Sequence, residues 1–141
     1  MGLYDFIVQQ VNKDVPLLGI CLGMQALFET SEENGLCDGF GFLKGHVCHI
    51  EDTSVKIPQI GWNVLENNQP QTIFKENTYV YYVHSYYAKD MDDQDLIGYS
   101  MYGSMKIPGL VMHDRIMGCQ FHPEKSGEDG LKILEYFGKE F

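Results

Sequence analysis

The chain has 141 residues, 44% of them hydrophobic and 13% aromatic, which suits one domain with a substantial core and is too short for two. Ten Lys and Arg stand against 20 Asp and Glu, a formal net charge of −10; this argues against nucleic acid as a partner, because phosphate neutralisation needs concentrated cations. No apolar run approaches the length of a membrane-spanning helix, and Met1–Phe6 lacks the basic start and apolar core of a signal peptide.

Leu3, Phe6, Ile7 and Val11 recur at helical spacing, so the chain is expected to open in a helix that ends near Asn12–Asp14. Val15-Pro16-Leu17-Leu18 reads as a short buried parallel strand. Gly19-Ile20-Cys21-Leu22-Gly23-Met24-Gln25 then turns that strand abruptly into a helix over Met24–Glu29. Small glycines on both sides allow the tight turn, which lifts the cysteine clear of the sheet as a nucleophile elbow. There the helix dipole and free backbone N–H groups are expected to favour a thiolate. The plainer reading is a strand–Gly–helix junction with an incidental buried cysteine.

Ser31–Gly41 is read as a loop. Strands are expected at Gly45–Ile50, Ile60–Leu65, Tyr79–Tyr87, Leu96–Tyr102, Leu110–His113 and Ile116–Gln120, and a last helix at Glu128–Phe137. Tyr79–Tyr87 is apolar on both faces and reads mostly as one buried strand. The elbow strand should lie centrally in a parallel sheet, yet only one helix precedes it, so the chain reads as the C-terminal part of a larger α/β domain, with Met1 an internal methionine.

Phe121-His122-Pro123-Glu124-Lys125-Ser126 follows the last strand. His122 can take and return a proton near neutral pH, and a carboxylate behind it fixes its tautomer. The proline stiffens the turn so that Glu124 reaches back to the ring. Strands that run parallel end on one side of a sheet, so this distant loop can meet Cys21. By itself a His-Pro-Glu turn is more often plain loop; paired with the elbow it points to nucleophilic catalysis.

Cys21, Cys37, Cys48 and Cys119 show no paired spacing, as expected of reduced thiols in the cytoplasm. His46, Cys48 and His49 share one strand, but residues 46 and 48 face one way and 49 the other, and no second pair at zinc spacing appears. Neither a metal nor a cofactor is expected.

The elbow and the His-Pro-Glu turn together resemble the class I (triad) glutamine amidotransferases. Ile57-Pro58-Gln59-Ile60-Gly61-Trp62-Asn63, Tyr82-Val83-His84-Ser85-Tyr86-Tyr87 and Glu124-Lys125-Ser126-Gly127 are similar to the glutaminase subunits of imidazole glycerol phosphate synthases, of histidine biosynthesis. The resemblance runs through essentially the whole chain. It implies a flavodoxin-like, doubly wound α/β sheet with an antiparallel strand-rich middle region, and one amidotransferase domain over 1–141. It implies that Cys21 attacks the glutamine amide, that His122 is base and acid, and that Glu124 orients it. The Leu22 N–H would be an oxyanion donor, and Gln25, His84, Ser85 and Tyr86 would hold glutamine. Trp62, Asn63 and Tyr81 would lie near the ammonia exit, and Lys125 would touch the partner, a (β/α)₈-barrel cyclase, in a heterodimer.

Two departures stand out. No Pro-Gly-x-Gly oxyanion segment precedes the elbow, and the lone Pro108-Gly109 lies too late in the chain to serve. Gln59 stands where the resembled subunits usually carry histidine, which touches local packing or partner contact rather than the triad. The alternatives are a catalytically impaired fragment or non-enzymatic module docked on the cyclase, and a general cysteine hydrolase. A glutamine-shaped thiol probe separates the last from the amidotransferase reading.

Overall fold

The computed structural model describes residues 2–141; the reading of Met1 as an internal methionine lies outside them. Helix α1 (Leu3–Asn12) leads to strand β1 (Leu17–Ile20), the one-turn helix α2 (Leu22–Gln25), and the short strands β2 (Thr30–Ser31) and β3 (Cys37–Asp38). Strands β4 (His46–His49), β5 (Gln59–Asn67), β6 (Thr78–His84), β7 (Tyr86–Lys89), β8 (Leu96–Tyr102), β9 (Met105–His113) and β10 (Ile116–Cys119) follow, and α3 (Gly127–Glu140) closes the chain.

Six strands form one sheet in the order β1-β10-β9-β8-β5-β6, and four form a second, β3-β2-β4-β7. In the larger sheet β1 runs parallel to β10, with Leu17 opposite Ile116 and Ile20 opposite Cys119. The remaining pairs, β10–β9, β9–β8, β8–β5 and β5–β6, are antiparallel. Successive residues of a strand point to opposite faces, and here both faces are covered. Met117, Cys119 and Leu110 enter a core with Val80, Tyr82, Phe121 and the α3 residue Ile133. Ile116 and Val111 enter a second core with Met24, Leu27, Phe28 and Val47. A sheet sandwiched in this way accounts for the near-continuous apolar runs of β9 and β10.

The α/β class and the antiparallel middle region match the sequence expectation, with four differences of detail. Strand β1 is not central: it forms the edge of the described sheet, with β10 as its hydrogen-bonded neighbour. The helix expected over Met24–Glu29 is one turn, since Leu27 N–H and Phe28 N–H bond to the carbonyls of Met24 and Gln25, three residues back, and the chain then enters β2. The loop at Ser31–Gly41 contains part of β2 and all of β3. The run Tyr79–Tyr87 splits at Ser85 into strands of different sheets; β6 alternates rather than being buried throughout, with Tyr79 and Val83 exposed and Val80, Tyr82 and His84 buried. Helix α1 forms as read, yet none of its residues is buried.

Gly19 is the position where the fold and the elbow constrain each other. A Cβ there would lie 2.6 Å from the Gly23 carbonyl oxygen and 2.8 Å from Met24 N, both backbone atoms that cannot swing away. A Cβ on Gly23 meets nothing within 4 Å. Gly19→Ala is therefore expected to lower stability by about 1–3 kcal/mol, as overpacking does, while Gly23→Ala leaves it unchanged or raises it through better helix propensity. Chemical denaturation of the two variants checks the contrast.

Candidate functional site

Cys21 occupies the turn between β1 and α2 with φ 54° and ψ −108°. A non-glycine residue in this region is strained by about 1–3 kcal/mol and persists only where its surroundings hold it. They do: Cys21 N–H donates to the Cys119 carbonyl at 2.7 Å, extending the β1–β10 ladder by one bond, and Gln25 N–H donates to the Cys21 carbonyl at 3.1 Å. The sulfur so presented is half-buried.

The neighbouring strand β10 leads into the His122 turn. Gln120 N–H donates to the Gly109 carbonyl and His122 N–H to the Tyr81 carbonyl, each at 2.9 Å. Pro123–Lys125 forms a single 3₁₀ turn. It brings Glu124 Oε1 to 2.6 Å from His122 Nδ1, the contact anticipated from the His-Pro-Glu spacing. A carboxylate at that distance takes the Nδ1 proton as its donor and leaves Nε2 with a free lone pair. Ser126, buried at the start of α3, locks the turn to β6. Its hydroxyl donates to the His122 carbonyl at 2.6 Å and accepts from Tyr81 N–H at 3.0 Å.

The Cys21 thiol lies 3.6 Å from the Val83 carbonyl, to which it donates, and 3.7 Å from Gln120 Nε2, from which it accepts. Burial pushes its pKa above the ordinary thiol value, and the carboxylates of Glu33 and Glu124 push the same way; the Leu22 N–H and the Gln120 carboxamide lower it by less. The thiolate expected from the helix dipole is thus corrected to a resting thiol. Helix α2 spans only four residues, too few for a full macrodipole, and desolvation outweighs it.

Beside the elbow a cavity of about 260 Å³ is lined by Leu22, Gln25, Ser31, Glu33, Asn34 and Cys37 among others. Gln25 is buried, and its Nε2 donates to the Tyr86 carbonyl at 3.1 Å and to Gln120 Oε1 at 3.2 Å. His84 is buried as well: Nδ1 is 2.8 Å from the Tyr86 carbonyl and Nε2 is 2.7 Å from the Gln59 carboxamide. Desolvation holds the His84 pKa below its ordinary value, against the smaller opposing pull of the Tyr86 carbonyl; Nδ1–H donates to that carbonyl and Nε2 faces the Gln59 Oε1. The imidazole of His84 is spent on the protein itself. The Ser85 carbonyl likewise accepts from Ile50 N–H at 2.8 Å.

Trp62 and Tyr81 pair across β5 and β6 and meet edge to face at 5.9 Å. Asn63, one residue on, points to the opposite face, where its Nδ2 donates to the Met101 carbonyl at 2.8 Å. The structure therefore joins two of the three residues assigned to the ammonia exit and separates the third. Lys125 is exposed beside Glu124. Three polar residues hold positions for which the sequence assigned no role: Gln120 and Ser126, which flank the His-Pro-Glu turn, and Glu33, in the cavity wall. Their signal was weak, being single polar side chains next to apolar strands or within an acidic loop.

Among the described residues no group of three or more His, Cys, Asp or Glu is arranged to hold a metal, and no helix is long and apolar enough to cross a membrane. On β4, His46 faces Asp90 at 3.6 Å, and Cys48 faces the Tyr87 carbonyl at 3.8 Å.

The family model for class I glutamine amidotransferases matches residues 2–141. An imidazole glycerol phosphate synthase subunit HisH from Geobacillus sp. (strain WCH70) is 45% identical over 143 residues, covering 96% of this chain and 67% of the relative. The subunit of the same name from Lactococcus lactis subsp. lactis (strain IL1403) is 48% identical over 142 residues, covering 99% and 69%. The chain thus spans about two thirds of the length of these relatives. A crystal structure of a glutamine amidotransferase superposes with a TM-score of 0.69 at 18% identity, covering 97% of this chain and 69% of that one. A putative GMP synthase protein from Thermoplasma acidophilum superposes at 0.63 with 21% identity, covering 95% and 61%. These two likenesses establish the fold.

Ser126→Ala removes two buried hydrogen bonds and leaves the Tyr81 N–H without its acceptor. The variant is expected to lose about 1–3 kcal/mol of stability, with faster hydrogen exchange at the amides of Tyr81 and His122; exchange rates equal to the parent's would contradict the locking role.

Proposed function

We propose the following chemistry for this chain, which belongs to the class I glutamine amidotransferase family. It is an enzyme that hydrolyses glutamine to glutamate and ammonia and supplies the ammonia for imidazole glycerol phosphate synthesis. The observation that supports the residue assignment is the parallel pairing of β1 with β10, after whose neighbouring ends come the Cys21 elbow and the hydrogen-bonded His122–Glu124 couple.

In this reading glutamine enters the cavity beside α2, where the Glu33 carboxylate is the natural partner for its α-ammonium group. The Oε1 of Gln25 and the N–H and hydroxyl groups of Ser85 remain for further contacts. His84 acts through the Tyr86 carbonyl and Gln59 rather than by touching substrate. His122 Nε2 takes the Cys21 proton as the sulfur attacks the amide carbon, and the Leu22 N–H stabilises the developing oxyanion. The C–N bond breaks with return of the proton to nitrogen, releasing ammonia and leaving a glutamyl thioester. Water, deprotonated by His122, then attacks the thioester; glutamate departs and the thiol is restored. A resting thiol that ionises only by proton transfer to its paired base is protected from adventitious alkylation and oxidation.

The partner is a cyclase subunit, for which we assign a (β/α)₈ barrel, forming a heterodimer. The outer face of β5 and β6 is the docking surface, because Ile60, Trp62, Tyr79 and Val83 lie exposed there beside Tyr81. Lys125 extends that surface at the mouth of the site, and Asn63 shapes it only indirectly, from behind β5. Residues 1–141 are the C-terminal part of the amidotransferase domain in this assignment. All four cysteines are free thiols, a usage that fits the cytoplasm.

Glutamate release should be measured with the cyclase and its phosphoribosyl substrate present. Cys21→Ala is expected to reduce it to background, and Glu124→Gln to lower kcat by about 10²–10⁴-fold through loss of the ring's orientation. Turnover that survives Cys21→Ala would refute the assignment. Trp62→Ala is expected to weaken cyclase binding by about tenfold or more while leaving Cys21 alkylation unchanged, which a binding titration and a thiol assay check together.

A further inference from the structure

We infer that Gln120 is a positioning residue of the nucleophile, its carboxamide held in one orientation by a buried hydrogen-bond relay that begins at the Tyr86 carbonyl and ends at the Cys21 sulfur. The inference rests on the reading of Cys21 as the nucleophile and adds a residue to which that reading gave no role.

Polarity fixes the orientation of both carboxamides. A backbone carbonyl can only accept, so Gln25, 3.1 Å from the Tyr86 oxygen, must present its NH₂ there. That nitrogen has two hydrogens; the second faces Gln120 at 3.2 Å, so Gln120 must turn its oxygen to Gln25. Its NH₂ is then left pointing at the Cys21 sulfur, 3.7 Å away. Neither carboxamide can flip without setting donor against donor or acceptor against acceptor. Gln120 is fully buried and Gln25 is 5% exposed, so water cannot repair such a mismatch. His84 Nδ1–H takes the other lone pair of the Tyr86 carbonyl, and Gln59 holds His84 from behind.

The consequence at sulfur is directional. A donor aimed at Sγ directs the thiol hydrogen elsewhere, here to the Val83 carbonyl, and strengthens when the sulfur becomes an anion. The relay also joins the nucleophile to Gln25, so a contact that glutamine makes with Gln25 is transmitted to the thiol.

The test compares Gln120→Glu with the parent chain by following iodoacetamide alkylation of Cys21 against pH, resolved by peptide mass, with exposed Cys37 as internal reference. Gln120→Glu keeps the size and the acceptor for Gln25 but replaces the donor with an anionic oxygen. The expected result is a midpoint raised by about one unit or more and roughly tenfold slower alkylation at neutral pH, with Cys37 unchanged. A midpoint equal to the parent's would overturn the proposal. Should the variant fail to fold, the unmodified chain decides: the Gln120 side-chain ¹⁵N resonance should titrate with the midpoint of Cys21 alkylation, and a resonance blind to Cys21 ionisation would overturn the relay. Glutamine turnover in Cys21→Ala separates the two claims, since survival there removes the nucleophile assignment while the alkylation profile still judges Gln120.

Discussion

Everything in the site depends on the parallel pairing of β1 with β10. Four residue pairs and the Cys21 N–H bond to Cys119 fix the exit of one strand against the exit of the other. Parallel strands deliver their following loops to the same sheet edge, and this is how a thiol and a carboxamide 99 residues apart in sequence come into contact. Closing so long a loop costs entropy that grows only slowly with length. The buried rows on either face of β10 offset it, with Met117 and Cys119 in one core and Ile116 in the other. The elbow's backbone strain is then held in place by packing that exists for the sheet's own reasons.

The His122 turn is fixed by a second, orthogonal set of bonds. Tyr81 on β6 accepts from His122 N–H and donates to Ser126, whose hydroxyl returns to the His122 carbonyl. The strand that carries the outward-facing Tyr81, beside Trp62, is thus the same strand that registers the imidazole. Movement of β6 relative to β10 would be felt at His122 without any change in the residues proposed for catalysis. This gives the proposed docking face a short mechanical route to the proposed catalytic couple, through one shared backbone unit.

Much of the architecture was legible in the sequence, for identifiable reasons. The β1 strand, the turn at Cys21 and the His-Pro-Glu couple are local features, each encoded within a few residues by glycine, proline and apolar runs. What escaped was set by long-range partners. Tyr79–Tyr87 looked like one strand because Ser85 gives no turn signal, although His84 and Tyr86 belong to different sheets. The thiolate expected at Cys21 failed because local dipole arguments ignore burial, and desolvation dominates there. Gln120 looked like the last residue of an apolar strand; its meaning comes from Gln25 and Tyr86, which only the fold brings near. Gln59, read as a departure in local packing, turned out to be the buried partner of His84.

The most direct measurement is a crystal structure of the chain bound to its cyclase, with Cys21 carrying a covalent glutamine-derived inhibitor. The account predicts His122 Nε2 turned to the sulfur at hydrogen-bonding reach, about 3–4 Å, with Glu124 still on Nδ1 and the inhibitor's carboxamide-derived oxygen near the Leu22 N–H. An imidazole turned away from the sulfur, or a β1 strand no longer paired with β10, would contradict it.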